Sequence, residues 1–410
     1  MKFAHLADAH LGGWREPKLR DANTQSFNAC IDTCITEKVD FVIIAGDLFN
    51  TSMPGIDSLR VAVQKLKDLQ NAKIPTYYIA GSHDSSPSGK TMLDVLEDAG
   101  LCINLVRGTV VDGLLNLSFT TDPKTGVKLT GILGKKGGLD KHYYTDLARE
   151  PLEKETGTKI FVFHCALNEL KPKELADMDA MSVSLFPKGF TYYAGGHVHV
   201  VDKGMLGTHD NIIYPGPVFP NNFAELEKLK HGTFVIYEDG AITHRKLSIY
   251  PVISLRIDAT GKSPLDVEHM VHDALNAQAL TTAIVTLRIE GTLASGKPSD
   301  IHFNDLTQAA QQQGAYVVLK NTAALTSKEF IGVQVAHSSV QDIEETLIRE
   351  HTGTTFKTEQ HYLKTLLRTL SAERDEGEKL ADFEKRVLQD AQQTLATALE
   401  PESPTSPTNS

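Results

Sequence analysis

Five short motifs in the first 200 residues carry side chains that could hold metal ions: Asp8-Ala9-His10, Gly46-Asp47, Gly81-Ser82-His83-Asp84, His164, and Gly196-His197-Val198-His199. Each lies at the end of an apolar run. Together they supply the carboxylates and imidazoles needed to hold two divalent metals side by side, an arrangement that hydrolyses phosphate esters. Asp8 and His10 are separated by one residue just after a strand, so an extended backbone would turn both side chains to the same side. His197 and His199 repeat that spacing after Gly195 and Gly196, where glycine lets backbone and metal approach closely. Asp47 follows an apolar strand and a glycine, a position that suits an N-cap or a ligand. His164 ends the strand Ile160-Phe161-Val162-Phe163, where a histidine taken alone would be structural. The shared strand-end position of all five motifs favours the two-metal reading.

Such residues must be carried by strands that end together. Lys2–Ala7 reads as a strand, Leu19–Glu37 as a helix and Asp40–Ala45 as a buried strand. Ile56–Gln70 reads as a helix with Leu59, Val63, Leu66 and Leu69 on one face, Thr76–Ala80 as a third strand and Lys90–Ala99 as a third helix. This βαβαβα series predicts an α/β fold with parallel strands and right-handed crossovers. Further strands are predicted at Lys159–Phe163, Phe190–Ala194, Asn211–Tyr214 and Thr233–Tyr237, the last entering a hairpin through Glu238-Asp239-Gly240. The motifs fall at the carboxyl edge, where ligands collect in open α/β sheets.

The pattern changes near Tyr250-Pro251. Residues 251–335 read as a smaller α/β domain, with strands at Val252–Ile257, Ile284–Ile289 and Tyr316–Lys320 and helices at Pro264–Ala277 and Phe303–Gln313. It has no Asp/His cluster and is assigned no catalytic role, which leaves residues 1–250 as the catalytic domain. Residues 336–399 have helical spacing, and residues 400–410 form a Pro/Ser/Thr tail predicted to be disordered. A length of 410 residues fits two or three domains.

The net charge of −11 argues against a generic basic nucleic-acid binder. Nine acidic and four basic side chains fall within residues 371–410, however, leaving −6 on the rest and room for a local basic groove. No apolar run approaches the roughly 20 residues that span a bilayer, and the N-terminus lacks the long apolar core of a signal peptide. Cys30, Cys34, Cys102 and Cys165 have neither disulfide-framework nor zinc-ribbon spacing, which fits a reducing cytoplasm. Lys135-Lys136-Gly137-Gly138, with His142-Tyr143-Tyr144 beyond, is a basic and aromatic loop suited to phosphate and base contacts. A solvated surface loop is the competing reading. His269 and His272 are read as surface residues.

In this order the motifs D-x-H, G-D, G-x-H-D, H and G-H-x-H resemble the calcineurin-like metallophosphoesterase signature, over residues 1 to about 240. Within that superfamily three segments are similar to the SbcD/Mre-type nucleases of double-strand-break repair: FAHLADAHLG, SPSGKTMLDVLEDAGL and Tyr214-Pro215-Gly216-Pro217. The resemblance implies a four-layer αββα sandwich, with residues 251–335 as a DNA-capping domain. It implies that Asp8, His10, Asp47 and His199 hold one metal, and that Asp47, Ser82, His164 and His197 hold the other, with Asp47 bridging. Mixed carboxylate and imidazole ligands suit Mn²⁺, or else Fe or Zn. By the same resemblance His83 stabilises the transition state or protonates the leaving oxygen, oriented by Asp84, while the metals activate the attacking water. Residues 339–399 could pack on the chain's own domains or dock the coiled coil of an SbcC-type, SMC-like ATPase. A homodimer is compatible with this reading.

One position departs from the family. Ser82 stands where the family has Asn, and a hydroxyl on a shorter side chain is a weaker ligand with less reach. The expected activity is Mn²⁺-dependent exonuclease or endonuclease cleavage of phosphodiesters at DNA ends. The alternatives are a small-molecule phosphodiesterase or phosphatase with the same metal core, and a DNA-binding scaffold that hydrolyses poorly because of Ser82.

Overall fold

The computed structural model describes residues 1–86, 89–171, 178–328, 359–372, 374, 378 and 380–399. It comprises two compact units, Met1–Ser327 and Lys328–Ser410.

The first unit opens with the predicted alternation: β1 (Lys2–Leu6), α1 (Pro17–Thr36), β2 (Phe41–Ala45), α2 (Ile56–Asn71), β3 (Thr76–Ile79), α3 (Met92–Asp98) and the short β4 (Ile103–Asn104). Pro17 sits at the start of α1, where its missing N–H removes no helical bond. α1 then buries Leu19, Phe27, Cys30, Ile31 and Cys34 along one face. β2 is buried at all five positions, as a central parallel strand covered on both faces must be. An exposed hairpin follows, β5 (Gly108–Val111) and β6 (Leu114–Leu117), and then β7 (Thr120–Thr121) and β8 (Lys128–Ile132). Next come the short helices α4 (Lys141–Thr145) and α5 (Arg149–Lys154) and the strands β9 (Lys159–His164), β10 (Tyr192–Gly196), β11 (Val201–Leu206) and β12 (His209–Pro215). Helix α6 (Phe223–Leu229) leads into the hairpin β13 (Gly232–Glu238) and β14 (Ala241–Leu247), turning at Glu238-Asp239-Gly240.

These strands form two six-stranded sheets, ordered β14-β13-β1-β2-β3-β4 and β11-β12-β10-β9-β8-β7. The sheets pack face to face. Phe3, Phe41, Ile43 and Tyr77 of the first meet Leu129, Ile160, Val162, Tyr192 and Ile213 of the second in one buried cluster. Phe27, Ile31, Leu66, Leu69 and Leu96 of α1–α3 cover the outer face of the first sheet. Tyr144 of α4, Leu152 of α5 and the loop residue Phe186 cover that of the second. The architecture is therefore a helix–sheet–sheet–helix sandwich. It is not wholly parallel, because β13 joins β1 antiparallel and carries β14 with it.

A third, all-parallel sheet completes the unit: β15 (Val252–Asp258), α7 (Pro264–Asn276), β16 (Ile284–Leu293), α8 (Phe303–Gln312), β17 (Val317–Asn321) and β18 (Leu325–Ser327). α7 starts at a capping box in which Ser263 and Asp266 satisfy each other's backbone N–H groups, with Pro264 next. The sheet has its own core of Leu255, Ile257, Val267, Val271, Val285, Leu287 and Leu306. It also shares a compact unit with the sandwich, through a second cluster that joins Ile284 and Val317 to Leu19, Ala22, Phe219 and Leu226.

In the second unit, helices run over Glu359–Leu370 and Leu380–Leu399. The predicted tail at 400–410, and residues 336–358 of the predicted helical region, lie outside the described residues. Among the described residues no helix is long and apolar enough to cross a membrane.

Candidate metal centre

The carboxyl ends of β1, β2, β3, β9 and β10 converge where the two sheets meet; His164 is the last residue of β9, and the other motif side chains sit in the loops that leave the strands. Asp8, His10, Asp47 and His164 are each 1% exposed, and Ser82 is 5% exposed. The loops after β1 and β2 are laced together by backbone bonds, Asp8 N–H to the Gly46 carbonyl (3.1 Å), His10 N–H to Asp47 (3.0 Å) and Leu11 N–H to Leu48 (3.0 Å).

The backbone here is not extended. Asp8, His10, Asp47, His197 and His199 all have positive φ, at 52°, 43°, 52°, 96° and 49°. The alternation expected of an extended chain is therefore not what aligns Asp8 with His10, or His197 with His199. Left-handed turns do it, at a cost of about 1–3 kcal/mol per residue that only a well-determined surrounding structure sustains. Two glycines make the crowding feasible. A methyl group at Gly81 would lie 2.2 Å from Asp47 Oδ1, and one at Gly196 would lie 2.2 Å from the Ala45 carbonyl.

Three overlapping ligand groups result: Asp8 with His10 and His199, His10 with Asp47 and His83, and Asp8 with Asp47 and His164. Asp47 Oδ2 is 3.2 Å from His164 Nε2 and 3.7 Å from His10 Nε2. His199 Nε2 is 3.0 Å from His10 Nε2 and 3.6 Å from Asp8 Oδ1. The His197 ring packs edge-on against that of His164, with centroids 5.1 Å apart, and its backbone N–H donates to both Asp8 oxygens. Ser82 Oγ is 3.5 Å from Asp47 Oδ2.

The donor set fits divalent cations. His164 Nδ1 lies 2.8 Å from the Ala45 carbonyl and so carries hydrogen, which leaves Nε2 as the ring atom that faces Asp47. Among the described residues, that buried Nε2 has no neighbour to pair with other than the Asp47 carboxylate. His199 Nδ1 lies 2.9 Å from Glu225 Oε1, which fixes the same tautomer. His10 Nε2 and His199 Nε2 face each other across 3.0 Å, a separation that only a shared proton or a cation makes favourable.

The electrostatics agree. Burial pushes His10 down to about 3 and His197 to about 4. Burial also opposes charge on His164 and His199, but the Asp47 carboxylate raises the first to about 10 and Asp8 raises the second to about 9. Asp47 is held well below the usual carboxylate range, because His164 and His10 outweigh its burial. Burial raises Asp8. Without metal, the neighbouring carboxylates therefore favour the protonated forms of His164 and His199.

His83 donates its backbone N–H to Asp47 Oδ1 (2.7 Å), and its ring Nδ1 is 2.8 Å from the Asn50 carbonyl. Asp84, expected to orient that ring, instead accepts the backbone N–H groups of Leu48 (3.2 Å), Phe49 (3.0 Å) and Gly81 (3.0 Å). Burial pushes Asp84 up to about 7 against these three amide donors, which favour its ionised form. Its role is to tie the loop after β3 to the loop after β2. Asn50 and Glu225 are the two site residues absent from the sequence reading. The first acts through a carbonyl that any residue has, and the second lies 26 residues beyond its partner.

A cavity of about 320 Å³ opens beside the cluster, with Ser82, His83, His164 and His197 on one side and Lys135 and Lys136 on the other. His142 and Tyr143 do not line it. Tyr143 Oη accepts a 2.7 Å bond from Lys135 Nζ, and the His142 ring packs on that of Tyr143 at 4.0 Å.

Residues 1–201 match the family described as calcineurin-like phosphoesterase. This part of the chain belongs to that family. The chain is 27% identical over 254 residues to the DNA double-strand break repair protein Mre11 of Archaeoglobus fulgidus, covering 58% of this chain and 55% of the relative. It is 32% identical over 206 residues to the protein of the same name from Methanococcus maripaludis, covering 48% and 52%. To that of Sulfolobus acidocaldarius it is 26% identical over 361 residues, covering 84% and 89%. The chain thus spans about half the length of the first two of these relatives. All the motif residues gathered at the cluster, Ser82 included, fall within the matched segment.

Proposed function

We propose that the chain is a metal-dependent nuclease that hydrolyses phosphodiesters at DNA ends in double-strand-break repair. The observation that carries this reading is the buried Asp/His cluster bridged by Asp47 and open to a cavity bearing Lys135 and Lys136. The similarity to proteins named for double-strand-break repair supports DNA as the substrate. Asp8, His10, Asp47 and His199 would hold one ion, and Asp47, Ser82, His164 and His197 the other, with Mn²⁺ first and Fe or Zn as alternatives. Bound there, the ions would supply Lewis acidity toward water and the phosphate oxygens.

The chain's own groups do the rest. The Ala45 carbonyl and Glu225 hold the His164 and His199 rings with Nε2 toward the cluster. His83, anchored through Nδ1 on Asn50, lines the cavity and can stabilise or protonate the departing oxygen. Lys135, steadied by Tyr143, and Lys136 neutralise substrate phosphate. The third sheet would cap the DNA, and the helices of the second unit would dock a coiled-coil SMC-like ATPase in the cytoplasm.

The test is hydrolysis with Mn²⁺ of linear duplex DNA, bis-p-nitrophenyl phosphate and a phosphate monoester. DNA cleavage that falls about 10²–10⁴-fold in His83→Ala supports the nuclease. Cleavage of small esters alone would make the protein a small-molecule phosphodiesterase, and DNA binding without hydrolysis would make it a scaffold.

A further inference from the structure

We propose that α6 is a strut coupling the third sheet to one half of the metal centre, with Arg288 of β16 fixing the helix and Glu225 positioning His199. This rests on the two-metal reading above.

Successive residues of a helix are about 100° apart, so Glu225 and Glu227 leave α6 on nearly opposite sides. Glu225 faces the metal cluster. Its Oε1 is 2.9 Å from His199 Nδ1, and its Oε2 accepts the Asn221 backbone N–H at 2.7 Å. Asn222 caps the same helix by accepting the Glu225 N–H at 2.9 Å. Glu227 faces the third sheet, where both its oxygens are held by Arg288, Nε at 3.1 Å and Nη2 at 2.6 Å. The Arg288 guanidinium also lies over the Phe223 ring at 5.1 Å. Between the two carboxylates, Leu226 is fully buried in the cluster that holds Leu19 and Ala22 of α1, Ile284 of β16 and Val317 of β17.

One short, well-anchored helix thus touches a metal ligand on one side and the third sheet on the other. A carboxylate that accepts Nδ1–H fixes the imidazole tautomer and ring plane, leaving Nε2 aimed at Asp8 and His10. A shift of the third sheet, such as bound DNA would impose, passes through Arg288 and Glu227 to His199 and not to His164. The coupling is therefore specific to one of the two ions. Glu225 is a positioning residue, since it acts through His199.

The experiment is calorimetric titration of the full chain with Mn²⁺ alone, alongside melting curves recorded in a chelator. In Glu225→Ala the affinity of one ion should fall about 10–100-fold while the other is unchanged. Glu225→Gln, which keeps an acceptor for Nδ1–H, should stay within a few-fold of wild type. Arg288→Met, which keeps the alkyl stem and loses the fork, should weaken the same ion several-fold. A purely structural role would lower the melting temperature and leave both affinities alone. Glu225→Ala with two wild-type affinities overturns the strut, and so does Arg288→Met with none altered. A wild-type chain that binds no Mn²⁺ overturns the metal reading itself, and the strut with it.

Discussion

The two halves of the candidate metal centre are built to different standards. On the side of Asp8, His10 and His199, the loops are laced by three backbone bonds, His199 is held by Glu225, and both Asp8 oxygens receive the His197 N–H. On the side of Ser82, His164 and His197, the Ala45 carbonyl holds His164 as Glu225 holds His199, and Ser82 offers a hydroxyl 3.5 Å from Asp47. Both halves share Asp47, whose loop is pinned by Asp84 and by the bond from His83. The asymmetry teaches that the two ions need not bind alike. The first half is tied together by more backbone bonds, and the second has only a serine hydroxyl at position 82.

Asp47 is the member whose loss abolishes the comparison. Asp47→Ala should remove binding of both ions and reduce hydrolysis by about 10³-fold or more. Calorimetry that still finds one ion at wild-type affinity would show that the residue belongs to a single half. A smaller effect comes from protons. His164 serves one half and His199 the other, and both are raised, to about 10 and about 9, so each is protonated at pH 7 without metal. Metal needs the neutral imidazole, so loading at pH 7 should release about two protons. Apparent affinity should rise with pH until it passes about 9 to 10 and fall as pH drops below 7. Titration in buffers of different ionisation enthalpy reads this directly, and a heat independent of buffer would contradict it. The smallest effect tests Ser82. Ser82→Asn, with an amide oxygen that reaches further, should tighten only the weaker ion, by about tenfold, and unchanged affinity would place Ser82 outside its shell.

Much of this site was legible in the sequence because apolar runs announce parallel strands, and each motif follows such a run. β2 and β9 are buried throughout and read as strands at once. β4 and β7 are two residues long and β5 is exposed along its whole length, so none leaves a periodic signal. The division into two sheets was legible only through the family resemblance, since an apolar run marks a strand but not the sheet it joins: β8, β9 and β10 pair at sequence separations much like those of β1, β2 and β3. The motifs named the residues that gather at the cluster but not their conformation. Positive φ at Asp8 and Asp47 is set by bonds to neighbouring loops and has no local signature. The link between Asp84 and His83 implied by the resemblance is replaced by longer-range contacts, Asp84 to the amides of Leu48 and Phe49 and His83 to the carbonyl of Asn50.

Whether Asp47 joins two ion sites where the two sheets meet is read from crystals soaked in Mn²⁺ and recorded at the manganese absorption edge. Two anomalous peaks should flank the Asp47 carboxylate, the fuller one beside Asp8, His10 and His199 and the weaker one beside His164 and His197. A single peak, or two that do not share Asp47, would contradict that bridging role.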